Sequence, residues 1–469
     1  MRKSALKTFI LIGIMTFVVV GIVPASPKPA AETPIKIGLF YPQTGSLAVY
    51  GPWTKDGFDL GMIYATENTN QTSDGRPYEI YYYDTATDPS TIASKVTSAI
   101  ENDGIDIIVG GTYSAVAAAI EPIAKENQLL YFITPGAASS LTEDPSFNEY
   151  TFRLARNSWQ DAKTGVKYAY DTVGARNYAF IAPGYSFGYS GVSTMSTEIL
   201  NRGGVIVDTE YVPVGTTDLT PYMDHLLDVD SSVAGGIDML MIVWAGDFSP
   251  LYRDMTAKNI GQYMNISSGI IDIWSMDYIE STLTPPATYV GTTGLAVYGY
   301  KLPNNPVNDW LVQAYKDRGI TYASVAGTYQ APDLFTPDAF ATAQFIVNVT
   351  NSVTDLNVDN MICHLEGLNI STPKGNEYLR PEDHQGLPEM YIATAINDTQ
   401  VGSPTYNHII GQLVETLNPN EVAPPIKTTY TGCSTKTSQS APGFLSPIIV
   451  FSLGFLVTLN ITIRKKRNK

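Results

Sequence analysis

The stretch from Ile105 to Thr142, IDIIVGGTYSAVAAAIEPIAKENQLLYFITPGAASSLT, reads as strand, turn, helix, strand, turn. Ile105–Gly110 is a short apolar run ending in glycine, which suits a strand buried on both faces. Gly110-Gly111-Thr112-Tyr113-Ser114 supplies a turn and a hydroxyl N-cap. Val116, Ile120, Ile123 and Ala124 then recur at helical spacing, and Leu129–Thr134 is a second buried strand that Pro135-Gly136 ends. The result is one βαβ unit with a right-handed crossover. Its loops, around Ser114 and around Ala137–Ser140, fall at the carboxyl ends of adjacent parallel strands, where open α/β sheets bind ligands. Backbone N–H groups and hydroxyls at a helix N-terminus favour an anion there, and a carboxylate would suit. The same residues would equally serve as a capped helix in a core.

A chain of 469 residues with 44% hydrophobic and 16% charged residues is globular and long enough for two domains. The formal net charge is −16, yet Arg2, Lys3, Lys7, Arg464, Lys465, Lys466, Arg467 and Lys469 sit at the ends. Removing those eight positive charges from −16 leaves a body of about −24. Such a body repels nucleic acid, and no basic patch interleaved with aromatics appears, so nucleic-acid binding is set aside.

Thr8–Val23 follows a basic segment and leads into small residues and prolines, the pattern of a signal peptide (1–26) cut near Ala25 or Ser26. Phe444–Ile463 is an uncharged run of 20 residues, long enough to cross a bilayer, and the basic tail 464–469 belongs inside. The body is therefore expected at the cell surface, held to the plasma membrane from its C-terminus through a Thr/Ser-rich stalk (428–443). Sequons at Asn70, Asn265, Asn348, Asn369 and Asn397 are candidate glycosylation sites. Cys363 and Cys433 are the two cysteines and could pair in an oxidising compartment. Two cysteines and four scattered histidines do not suggest a metal, and no cofactor is expected.

Read in order, Ile35–Tyr41 is a first strand and Pro42–Gly51 a loop. Helix Pro52–Asn68 follows, with Gly57 and Gly61 allowing close packing, and then strand Tyr78–Tyr83 and a helix to Asn102. The opening unit completes a doubly wound sheet. Pro42, Thr44-Gly45, Tyr50-Gly51, Gly57, Tyr83-Asp84, Asp88-Pro89, Asp103-Gly104, Val109-Gly110, Ser114 and Thr134-Pro135-Gly136-Ala137 occur in that order. Together they resemble the N-terminal lobe of branched-chain amino-acid-type (Leu/Ile/Val-binding-like) periplasmic binding proteins of type I, the extracellular solute receptors of ABC transporters. The resemblance continues through Asn157–Tyr170, strand Tyr178–Ala182, loop Gly184–Gly191, strand Met239–Trp244 and Arg380–Gln385, covering roughly 34–400. It thins over 229–236 and 282–288, which leaves the matching around Asp272 open.

The resemblance implies two doubly wound α/β lobes joined by a three-crossing hinge. The crossings fall near Ala155–Asn157, Ala296–Lys301 and Cys363–Pro373, so that 34–155 and 297–365 form lobe 1 and 156–296 and 366–427 form lobe 2. It implies that first-lobe hydroxyls and amides hold a ligand carboxylate; by position these are Tyr113, Ser114, Ala137 and Ser139, with Tyr50 near the cleft mouth. The second lobe would contribute Phe187 and an acid for a ligand ammonium, Asp247 or Asp272. Pro442-Gly443-Phe444, with the apolar span and basic tail, resembles an archaeal C-terminal sorting signal, under which the span would be exchanged for a lipid rather than retained.

Two other patterns carry chemistry. Gly184-Tyr185-Ser186-Phe187-Gly188 fits a nucleophile elbow after a strand, which would make Ser186 the nucleophile of a hydrolase with His225, His364, His384 or His408 as base. Asp383-His384 could be an acid–base pair, although in the resemblance it is structural. The expectation is a non-enzymatic, membrane-anchored solute receptor. It would deliver a small polar ligand, expected to be an amino acid, to ABC permease subunits by closing two lobes on it. A sensor or scaffold of the same fold and a Ser186 hydrolase are the alternatives.

Overall fold

The computed structural model describes residues 33–433 apart from 268–271, 283–290, 325–326, 354–355 and 399–407. The expected leader 1–26, apolar span 444–463, basic tail 464–469 and stalk residues 434–443 lie outside the described residues. Among the described residues, no helix is long and apolar enough to cross a membrane.

The first lobe opens with β1 (Ile35–Tyr41), α1 (Gly51–Ala65), β2 (Tyr78–Asp84), α2 (Pro89–Ser98), β3 (Ile107–Gly110), α3 (Ser114–Asn127), β4 (Leu130–Ile133) and β5 (Thr151–Arg153). Its sheet is parallel throughout, in the order β2-β1-β3-β4-β5. β3 and β4 contain no charged residue and are buried along their whole length, as strands covered by helices on both faces must be. Val116, Ala117, Ile120 and Ala124 give α3 an apolar stripe that joins Ile108, Tyr131 and Ile133 in the core.

The second lobe follows with α4 (Ser158–Lys167), β6 (Asn177–Pro183), α5 (Ser186–Arg202), β7 (Val205–Val212), α6 (Thr220–Ser232), β8 (Met239–Ile242), α7 (Ser249–Ala257), β9 (Asn265–Ser267) and α8 (Ile273–Thr282). Its parallel sheet runs β7-β6-β8-β9. α5 begins at Ser186, inside the segment expected to be the loop 184–191. Burial of Phe187, Gly188, Gly191, Val192 and Met195 outweighs the weak helix propensity of its Ser- and Gly-rich start.

After β10 (Thr293–Ala296) the chain returns to the first lobe for α9 (Pro306–Arg318), β11 (Tyr322–Ser324), β12 (Gly327–Tyr329), α10 (Thr336–Ser352), α11 (Val358–Leu365), β13 (Asn369–Thr372), β14 (Gly375–Leu379) and β15 (Gly386–Leu387). β16 (Met390–Asp398) and β17 (His408–Leu417) then form an antiparallel sheet with β10. α10 lies along α1 so closely that a Cβ on Gly57 would stand 2.3 Å from the Thr336 carbonyl oxygen, and one on Gly61 2.5 Å from that of Phe340.

Two boundaries differ from the sequence reading. The sequence places 366–387 in lobe 2, but its strands form a small sheet of their own whose end, at residues 384–385, bridges to β5 at the edge of the first sheet. Arg153 N donates to His384 O at 3.0 Å, Gln385 bridges to Arg153, and the His384 ring stacks on Phe152 at 4.0 Å. The crossing to β16 therefore comes after β15, about fifteen residues later than expected, because short alternating strands do not reveal which sheet they border. Nor is 428–432 a free stalk. Asp144 N donates to Lys427 O at 2.9 Å, Thr429 N to Asp144 Oδ2 at 2.8 Å, and Tyr430 OH to Glu366 Oε1 at 2.7 Å, so the chain crosses back a fourth time. Cys363 and Cys433 are each disulfide-bonded. Asn70, Asn265, Asn369 and Asn397 are exposed, whereas Asn348 is half-buried with Oδ1 3.0 Å from His364 Nε2.

The α1–α10 contact gives a direct test. Gly57→Ala places a methyl group against backbone that cannot move aside, and should cost about 1–3 kcal/mol. The melting temperature is expected to fall by several degrees; an unchanged melt would show that the helices separate freely.

Candidate functional site

The loops 42–50, 111–113 and 134–139 leave the carboxyl ends of β1, β3 and β4, and face residues 184–187 and 243–248 of the second lobe across a cleft. Sharp turns bring them together. Gly110 has φ 133°, and a Cβ there would stand 1.9 Å from Phe40 O, so only glycine admits this approach. The inner pocket, about 20 Å³ in this closed arrangement, is walled by Tyr50, Thr112, Ser114 and Ala137 on one side and by Tyr185 and Phe187 on the other, with Arg156 and Phe335 also lining it. An outer pocket nearer the mouth is lined by Ser46, Tyr113, Tyr185, Trp244 and Asp247 among others.

Of the residues expected at the site, Tyr50, Ser114, Ala137 and Phe187 line the inner pocket, and Tyr113 and Asp247 the outer one. Ser114 does not cap its own helix, where Tyr113 is the N-cap without a side-chain bond. Its Oγ instead accepts from Ala138 N at 3.2 Å, linking the loops that follow β3 and β4. Ala137 O accepts from both Ser158 N and Ser158 Oγ at 2.9 Å, which ties that loop to the start of α4. Tyr50 OH accepts from Gly246 N at 2.7 Å, and its ring meets Phe335 edge-on at 4.9 Å. Ser139 N donates to Ser190 Oγ at 2.8 Å, and the Tyr113 and Tyr185 rings lie 4.6 Å apart. These three contacts cross the cleft, so the lobes are closed on one another.

The two acids expected to meet an ammonium are not in the inner pocket. Asp247 is exposed at the mouth, where Oδ1 accepts from Ser249 N at 2.8 Å. Asp272 is only 1% exposed and lines neither pocket; it opens α8, its Oδ1 accepting from Ser275 N at 2.8 Å. Burial, with Asp333 beside it, pushes its carboxyl well above the ordinary carboxylate range, which favours the neutral form and makes it a poor ammonium partner. The sequence reading missed Arg156, Thr112, Tyr185 and Phe335. The available signal was an arginine inside the otherwise apolar first crossing, Leu154-Ala155-Arg156.

Ser186 begins α5, and its buried Oγ has no hydrogen-bond partner. The four histidines are engaged elsewhere: His225 beside Asp208 and Glu210, His364 with Asn348, His384 with Glu366 and His408 with Asp277. The nucleophile pattern therefore lacks a base. Asp383 does not pair with His384; its Oδ1 accepts from Arg380 Nε at 2.8 Å.

A family model described as "Periplasmic binding protein" matches residues 34–400, and the chain belongs to that family. Leu/Ile/Val-binding protein homolog 4 of Brucella abortus (strain 2308) is 26% identical over 389 residues, covering 78% of this chain and 85% of that protein. Homolog 6 from the same organism is 24% identical over 195 residues, 41% of this chain and 48% of that protein, so the chain spans about half of that relative's length. Among solved structures, an ABC-type branched-chain amino acid transporter from Rhodopseudomonas palustris CGA009 is similar at a TM-score of 0.67 and 29% identity, covering 84% of this chain and all but 1% of that one (99%). The type I binding-protein fold expected from the sequence is thus the fold of this chain.

Asp272 supplies a pH test with a definite sign. A carboxyl whose folded pKa lies above its unfolded value opposes folding increasingly as pH rises through that interval. Asp272→Asn keeps the acceptor for Ser275 N and removes the titration. It should raise the melting temperature at pH 8 and leave it nearly unchanged at pH 4. Equal shifts at both values would mean that the carboxyl is not held neutral.

Proposed function

We propose that this protein is the extracellular solute receptor of an ABC importer, capturing a small organic solute with a carboxylate group between its lobes and presenting it to permease subunits in the membrane. The observation that carries the reading is an inner pocket walled by both lobes: hydroxyls and loop backbone at the ends of β3 and β4 on one side, Tyr185 and Phe187 on the other. A solute there contacts both lobes only when they are closed, so binding energy becomes closure. Family membership and the binding-protein relatives support the same role.

The two apolar ends support a further part of the proposal: a cleaved leader, and a C-terminal segment that tethers the body outside the plasma membrane, either retained or exchanged for lipid. Of the five sequons, the four exposed ones are the candidates for glycosylation, and Asn348 the weakest.

Solute binding should appear as thermal stabilisation. At a hundred times its Kd, a ligand that binds only the folded state adds about 2.7 kcal/mol. Screening amino acids, organic acids, amides and sugars by melting is expected to give one chemical class with a shift of several degrees. No shift from any class, with native mass spectrometry showing no retained small molecule, would contradict the receptor reading. Protease added outside intact cells should digest the body; a protected body would contradict its placement.

A further inference from the structure

We propose that the inner end of the cleft is an anion subsite centred on Arg156, and that the solute it takes is an aromatic carboxylic acid without an α-ammonium group. The proposal rests on the receptor reading above and goes further by naming the solute class.

Arg156 sits at the first crossing between lobes, one residue before the Asn157 cap of α4, and is 1% exposed. Much of its guanidinium is unspent. Nη1 donates to Pro135 O at 3.2 Å. Nε stands 3.3 Å from Asp161 Oδ1, but neither of these two buried atoms has a hydrogen-bond partner. An arginine carries five N–H donors in a planar fork that matches a carboxylate edge. In the same pocket lining, the buried Thr112 Oγ1 also has no partner, and the Ser114 hydroxyl, which accepts from Ala138 N, retains its proton to donate. Three polar groups suited to an anion thus line the same small pocket.

Charge decides against an amino acid. Among the residues lining the inner pocket, Arg156 is the charged one. Asp247 is at the exposed mouth, Asp272 lines neither pocket, and Asp161 lies on the Nε side of Arg156 and lines a neighbouring pocket. An α-ammonium, two bonds from its carboxylate carbon, would be buried beside a guanidinium with no carboxylate to meet it, which is strongly unfavourable. The remaining walls are rings. Tyr50, Tyr185, Phe187 and Phe335 face the pocket, and the Phe335 ring centre lies 5.6 Å from Arg156 Cζ. Rings of this kind pack edge-to-face or offset against an aromatic solute body once the lobes part enough to admit it.

Calorimetric titration of the full-length protein separates the possibilities. The probes are benzoate, 4-hydroxybenzoate and 3-(4-hydroxyphenyl)propanoate against L-phenylalanine, L-leucine and L-tyrosine, the last being the third acid plus an α-ammonium. At least one acid should bind ten times or more tighter than every amino acid. Losing the charge-assisted fork should weaken that acid roughly tenfold to a hundredfold. Arg156→Gln alone strands the Asp161 carboxylate, so the loss is read in Arg156→Gln/Asp161→Asn, which keeps the pair neutral and whose melt reports folding. Arg156→Lys, which keeps the charge but not the fork, should fall between. An amino acid binding as tightly as the best acid, unchanged acid affinity in the folded double variant, or binding by none of the acids while another solute class stabilises the protein would overturn the anion subsite and leave the receptor reading standing. Failure of every solute class would overturn the receptor reading itself.

Discussion

Arg153 holds the ligand-facing side of the first lobe together. Its guanidinium is fully buried and donates to Ala138 O at 2.7 Å, Thr142 Oγ1 at 2.6 Å, Gln385 Oε1 at 2.7 Å and Gly136 O at 3.3 Å. Gln385 in turn donates from Nε2 to Ala155 O and to Gly386 O, both at 2.7 Å. One buried cation therefore links the loop after β4, the first crossing and the late segment that edges the first sheet. Removing any member leaves other buried polar groups unpaired, and such groups cost about 1–3 kcal/mol each. The position of Ala137 and Ser139, and so the shape of the cleft, depends on this network.

Three residues further on, Arg156 has the opposite condition. Arg153 uses its donors on the protein, while Arg156, also buried, has one protein hydrogen bond, to Pro135 O, and the Asp161 carboxylate 3.3 Å from its Nε. Asp161 compensates the charge, and the donors it leaves over are available to an acceptor in the pocket. The contrast also shows how structure and binding share this crossing: the first arginine fixes the loops, and the second faces the space they enclose. The lobes share an apolar cluster in which Tyr50 and Phe335 join Trp244 and Phe248, and polar contacts across the cleft add to it. Tyr50 to Gly246 is a single hydrogen bond and Ser139 to Ser190 a pair, each bond worth about 0.5–1.5 kcal/mol, so the contacts of a solute with both walls shift the open–closed balance.

Much of the fold is legible in the sequence because buried parallel strands are continuous apolar runs between glycine and proline turns. β1 spans the residues read for it, and α3 and β4 fall within about a residue of theirs. The start of α5 is not legible, since Ser186-Phe187-Gly188 is a poor helix former that folds through its packing. The placement of 366–387 is not legible either, because its partner β5 lies more than 200 residues earlier. At the site, Tyr50, Ser114 and Phe187 could be found because they stand at strand ends. Asp272 could not be excluded from sequence, since nothing in the chain order shows that it turns into the core instead of the cleft. Arg156 escaped notice because an arginine beside an apolar turn reads as structural until its unpaired donors are seen.

The central claim is that a solute bridges the two lobes and stabilises their closed arrangement. Both native cysteines are disulfide-bonded, so spin labels can be attached through cysteines introduced at the exposed positions Glu101 on the first lobe and Ser231 on the second. Distances between them, measured by pulsed electron resonance with and without the solute that raises the melting temperature, test the claim directly. The account predicts a broad distribution without solute that narrows to its short-distance end at saturation. An identical distribution in both states, with binding verified in the same sample, would contradict it.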